Sequence, residues 1–107
     1  MLIKIARDFS KVPGARTESE GPYSGERFRD EILIPRFLQT EKTKELLEVD
    51  LDGCYGFATS FLEESFGGMV RILKRKNLLN RIKIISNDDE TLEGLIKQYV
   101  KEAEDKL

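Results

Sequence analysis

The stretch Val49–Arg71, VDLDGCYGFATSFLEESFGGMVR, constrains the fold more than any other, because its apolar period changes from two to about 3.6 across a single short turn. Leu47, Val49 and Leu51 alternate as on one face of a strand, and Asp52-Gly53 breaks the run. Leu62, Phe66, Met69, Val70 and Leu73 then recur on one helical stripe. Ser60-Phe61-Leu62-Glu63 has the spacing of a capping box, which predicts a helix starting at Ser60. A strand passing through a turn with exposed hydroxyls into a helix confines the chain to the α/β class.

The flanking segments extend the same alternation. Leu2 to Phe9 alternates with Ile3, Ile5 and Phe9 on one side, which predicts a strand. Ser10 to Ser24 is too rich in Gly and Pro for a helix and reads as an edge hairpin or a working loop. Ser24 offers a cap for a helix beginning near Gly25, and Pro35 is expected to stop or kink it at Ile34. Glu41 to Lys44 then reads as a polar connector, and Asn77 as the terminator of the second helix. Arg81 to Ser86 predicts a third strand. Asn87 or Asp88 caps a last helix with the stripe Leu92, Leu95, Ile96, Tyr99, Val100 and Ala103. Right-handed crossovers with the strand order advancing one way would put all three helices on one face, leaving Lys4, Ala6, Asp8, Glu48, Asp50 and Lys83 on the other. That open polar face leaves room for a homodimer without requiring one.

A length of 107 residues supports one small core, so the expectation is a single domain over 1–107. Charged residues are 36% of the chain but the net charge is −2, which gives no global field for nucleic acid or an anionic membrane. No apolar run approaches a spanning helix and nothing reads as a signal peptide, so a cytoplasmic protein is expected. The one cysteine, Cys54, allows no internal disulfide. The absence of histidine removes Ser-His and Cys-His nucleophile pairs and the commonest metal ligand together. No catalytic residue, metal or cofactor is therefore expected.

PGARTESEGPYSGERFRDEIL at Pro13–Leu33, followed by VDLDGCYGFATSFLEESFGGMVR, resembles a bacterial STAS-like family with PG-x-R, GP-x-SGE-x-FR and TSFLEE-x-FGG segments in that order. The family is distantly similar to anti-sigma-factor antagonists. The resemblance implies a two-layer STAS-like α/β domain, with a small mixed β-sheet and helices mainly on one face. It also implies a regulatory, non-catalytic role in which the surface Ala58, Phe61, Glu63, Glu64, Gly67 and Gly68 docks on a histidine-kinase-like ATPase or an anti-sigma-like regulator. Ser60 or Thr59 would be the phosphate acceptor. Ala58-Thr59-Ser60-Phe61 keeps the two hydroxyls of the antagonists' Asp-Ser-Ser-Gly turn and lacks its Asp and Gly.

The same residues carry plainer readings. Thr59 and Ser60 are also preferred helix caps. Arg16, Ser24, Gly25, Glu26 and Arg29 could form an anion, small-ligand or nucleotide site at a helix start within the Pro13–Arg29 loop, as part of an enzyme. Equally, the arginines could pair with neighbouring glutamates. No P-loop or dinucleotide fingerprint is present. Gly67-Gly68 inside a helix signals a close backbone approach, to this chain or to another. The basic run Arg71, Lys74, Arg75, Lys76, Arg81 and Lys83 offers a backbone-binding patch or a helix end complementing its dipole. Asp50, Asp52, Glu63 and Glu64 could cluster round a divalent cation, though Asp52-Gly53 is as well explained as a turn.

Overall fold

The structure is a computed structural model and describes all 107 residues. Three strands, β1 (Leu2–Lys4), β2 (Leu47–Asp50) and β3 (Ile82–Ile85), form one sheet in the order β1-β2-β3. Both pairs are parallel, with Ile3 opposite Val49 and Val49 opposite Ile84. The α/β class is as expected, while the sheet is wholly parallel and not mixed. Each connection carries the chain back through a helical rod, and no hairpin is present to reverse a strand.

The first rod, residues 25–43, consists of α2 (Gly25–Phe28), a π-turn at Arg29–Leu33 and α3 (Ile34–Thr43). It passes Pro35 without the expected stop and absorbs the predicted connector at Glu41. The Ile34 amide reaches back five residues to the Arg29 carbonyl, and this wider turn relieves the clash of the proline ring with the carbonyl four residues behind it. The second rod, residues 59–73, repeats the device: α4 (Thr59–Leu62), a π-turn at Glu63–Gly67, then α5 (Gly68–Leu73). Lys74 in the left-handed region ends it, three residues before the Asn77 expected to do so. The last helix, α6 (Thr91–Asp105), starts later than Asn87 because Asp89 accepts from the Thr91 amide and hydroxyl.

The second rod packs against both of the others, as β2 lies between β1 and β3. The helices therefore form one layer. Leu47, Val49, Ile82 and Ile84 are buried beneath it, while Lys4, Glu48, Asp50 and Lys83 are partly or fully exposed on the opposite face. Nineteen buried apolar residues form a single cluster. Beyond Lys4 the predicted first strand turns into α1 (Ile5–Asp8), because the Asp8 carboxylate accepts the Lys4 amide at 3.0 Å and the Phe9 and Ser10 amides both bond to the Ile5 carbonyl. Phe9 swings into an aromatic cluster with Tyr23, Phe28 and Phe61, with ring centroids 5.4–6.1 Å apart.

Candidate functional site

Residues 10–24 form a strap that closes over the start of the first rod. The Gly25 amide bonds to the Ala15 carbonyl, the Glu26 amide to the Arg16 carbonyl and the Arg27 amide to Ser24 Oγ. Every amide that a helix start offers to an anion is taken by the chain itself. The side chains are equally committed. Arg16 Nη1 donates to Glu63 at 2.6 Å, Arg29 Nη1 to Glu64 at 2.7 Å, and Glu26 accepts the Glu18 amide. None of the three surface cavities is lined by residues 13–29. The arrangement is that of a clamp, with no open anion pocket at Arg16, Ser24, Gly25, Glu26 and Arg29.

Arg71 completes the clamp from the far side of the second π-turn, donating to both Glu63 oxygens and to Glu64. With Asp30 on Arg29, three guanidiniums meet three carboxylates and the charges cancel. Arg71, aided by Arg16, holds the Glu63 carboxyl below the usual glutamate range against the opposing effect of burial. The role of Arg71 was not visible in the sequence, where it reads as a helix-end cation. Its separation of seven and eight residues from the glutamates is the only available signal.

The glycines make this clamp fit. A Cβ on Gly68 would lie 2.8 Å from Glu64 Oε2 and 2.9 Å from Arg29 Nη1, and one on Gly67 would lie 2.5 Å from Glu63 Oε2. The close backbone approach expected at Gly67-Gly68 does not occur: what crowds these glycines is the side-chain ends of Glu63, Glu64, Arg29 and Arg71 of this chain. Both glycines are buried, as is Phe61, so these three residues leave the expected partner surface. Glu63 and Glu64 are half-buried and paired, and of the six residues of that surface Ala58 alone is exposed.

The capping box does not form. Ala58 is the residue at the cap, and the Phe61 and Leu62 amides bond to its carbonyl, while Glu63 is drawn to the arginines and does not reach back. Thr59 and Ser60 thus stand in the first turn with neither amide nor hydroxyl bonded within the chain. This helix start is open where that of the first rod is closed.

The turn before it is anchored at the carboxyl ends of the strands. Asp52 accepts from the amides of Asn87 and Asp88, which hold its carboxyl low. Gly53, in the left-handed region, donates to Asp88, and the Tyr55 amide donates to the Lys11 carbonyl at 2.8 Å. Burial, aided by Asp50 and Asp88, pushes the Cys54 thiol up to about 11, so it is held as the thiol at neutral pH. Asp50 and Asp52 do not meet Glu63 and Glu64, and no cluster of metal-ligating side chains is present. The basic run is dispersed as well: Arg75 pairs with Glu41 and Arg81 donates to the Thr40 and Glu45 carbonyls. No helix is long and apolar enough to cross a membrane.

The family described as STAS-like domain of unknown function (DUF4325) matches residues 24–92, well over half of the chain. The chain belongs to this STAS-like family. The match runs from the cap of the first rod to the start of α6, so it contains the whole clamp except Arg16. No curated protein and no solved structure matches the chain.

Proposed function

We propose that this STAS-like domain is a regulatory protein-interaction module, controlled by phosphorylation of Ser60 or Thr59. The observation that supports this reading is the contrast within the sequence motifs. Arg16, Ser24, Glu26, Arg29, Glu63, Glu64 and Ser65 are all bonded inside the fold, whereas the Thr59 and Ser60 hydroxyls are not. These hydroxyls do no structural work that modification would undo. A phosphate there would sit where the helix dipole favours negative charge, and would add nearly two charges beside the exposed turn without breaking the clamp. The fold would stay intact while its docking surface became more negative. A histidine-kinase-like ATPase or anti-sigma-like regulator is the proposed class of partner, by similarity to anti-sigma-factor antagonists.

The test is a pull-down from lysate of the native host with and without ATP, with mass spectrometry of the bait. Phosphate on Ser60 or Thr59, and one retained protein that Ser60→Asp and Ser60→Ala hold to clearly different extents, is the expected result. Equal retention by both variants would remove the switch.

A further inference from the structure

The exposed surface beside Thr59 is dominated by one side chain. Tyr55 is 83% exposed, more than any other large hydrophobic residue, and its amide bonds to the carbonyl of Lys11, next in the chain to Val12, itself 56% exposed. Large aromatic rings are costly to leave in water, and on a loose loop such exposure would mean little. This turn is not loose. Gly53 is held by Asp88 at 2.9 Å, Cys54 Sγ approaches the Ser10 carbonyl at 3.5 Å, and Phe57 packs on Phe61 with centroids 5.9 Å apart. Asp52 clasps the 86–90 loop behind it. The backbone is ordered before any partner arrives, so docking would immobilise only the two side-chain torsions of Tyr55.

The surroundings specify the partner's charge. Segments 50–58 and 86–90 carry Asp50, Asp52, Asp88, Asp89 and Glu90 and no Lys or Arg, and the neighbouring cations Lys11, whose carbonyl bonds the Tyr55 amide, and Lys4, beside Asp52, offset only part of that charge. A second copy of the chain docking through the same face would bring the same carboxylates against these, and an anionic membrane would be repelled. We propose that Tyr55 is the anchor of a protein-docking surface, inserting into an apolar pocket on a partner whose rim is basic, with Val12 at the edge of the contact. This rests on the interaction reading above and moves the contact from the helix face to the turn that precedes it.

The test places the photo-crosslinker p-benzoylphenylalanine at position 55 of the full chain in its native host, and at Ile72, 49% exposed on α5, as control. The expected result is an adduct with one other protein from position 55 and none from position 72. That protein, purified, should bind the wild-type chain more weakly as salt rises. It should lose about tenfold or more in affinity on Tyr55→Ala and regain it with Tyr55→Phe. An unchanged melting temperature for Tyr55→Ala keeps the comparison clean. An adduct of twice the chain's mass, adducts from both positions, or no adduct from position 55 overturns the proposal. Unchanged affinity in Tyr55→Ala overturns it too, and if Ser60→Asp and Ser60→Ala still bind the partner differently in that case, the switch stands without the anchor.

Discussion

Arg29 is 9% exposed and lies between two rods with Glu64 on one side and Asp30 on the other. A guanidinium in that position is tolerable only while its partners remain, so the clamp is best tested by removing one of them. Glu64→Ala should cost about 1–3 kcal/mol in a urea titration, because it leaves the buried Arg29 guanidinium with Asp30 as its one remaining carboxylate, and Glu64→Gln should cost less by keeping one acceptor in place. Cys54 gives the opposite kind of test. With its thiol pushed up to about 11, it should react with an alkylating reagent at neutral pH far more slowly in the folded chain than in urea, as followed by intact mass. At this scale the sequence was informative about Cys54, whose neighbours mark no thiolate. It left open whether Arg16 and Arg29 pair with glutamates or await a ligand, since both outcomes use the same residues at the same spacing.

Among the elements, the two π-turns were illegible. They follow from a proline ring in the first rod and from the fit between the Glu63–Gly67 turn and its neighbours in the second, and no residue type signals a bond to the fifth residue back. The strap's tightness could be read only once the rods were placed. A Cβ at Gly25 would lie 2.5 Å from the Phe61 carbonyl, a backbone atom that cannot turn aside. Gly25→Ala should therefore destabilise by about 1–3 kcal/mol in thermal or urea unfolding. Gly94, in the first turn of α6, has nothing within 4 Å of its would-be Cβ. Gly94→Ala should stabilise by about 0.5–1 kcal/mol, raising the melting temperature through helix propensity alone. That α6 tolerates this change follows from the periodicity of its apolar stripe, which was plain in the sequence.

For the molecule as a whole, acid is the informative perturbation. Asp8, Asp52, Glu63 and Asp89 are all held below their ordinary values: Asp8 first by the Arg7 hydrogen bond, Asp52 by the Asp88 amide, Glu63 by Arg71 and Asp89 by Thr91. The fold binds these protons less tightly than the unfolded chain does, so the stability they contribute is complete above about pH 5 and is lost as pH falls through the lowered values. Denaturant midpoints should be flat from neutral pH to about 5 and decline below it, with a shallower decline in Glu63→Gln. Without histidine, no comparable loss is expected between pH 5 and 8. What the sequence determined by itself is the order of strands and helices, the apolar faces that join them and the family to which the chain belongs, because these depend on local periodicity and contiguous motifs. What only the tertiary structure decided is which polar residues are spent. Arg16, Arg29, Glu63, Glu64, Gly67 and Gly68 close on one another across as many as 47 residues of chain, and that closure, invisible to any local pattern, leaves Thr59 and Tyr55 exposed and Ser60 half-buried with its hydroxyl unbonded.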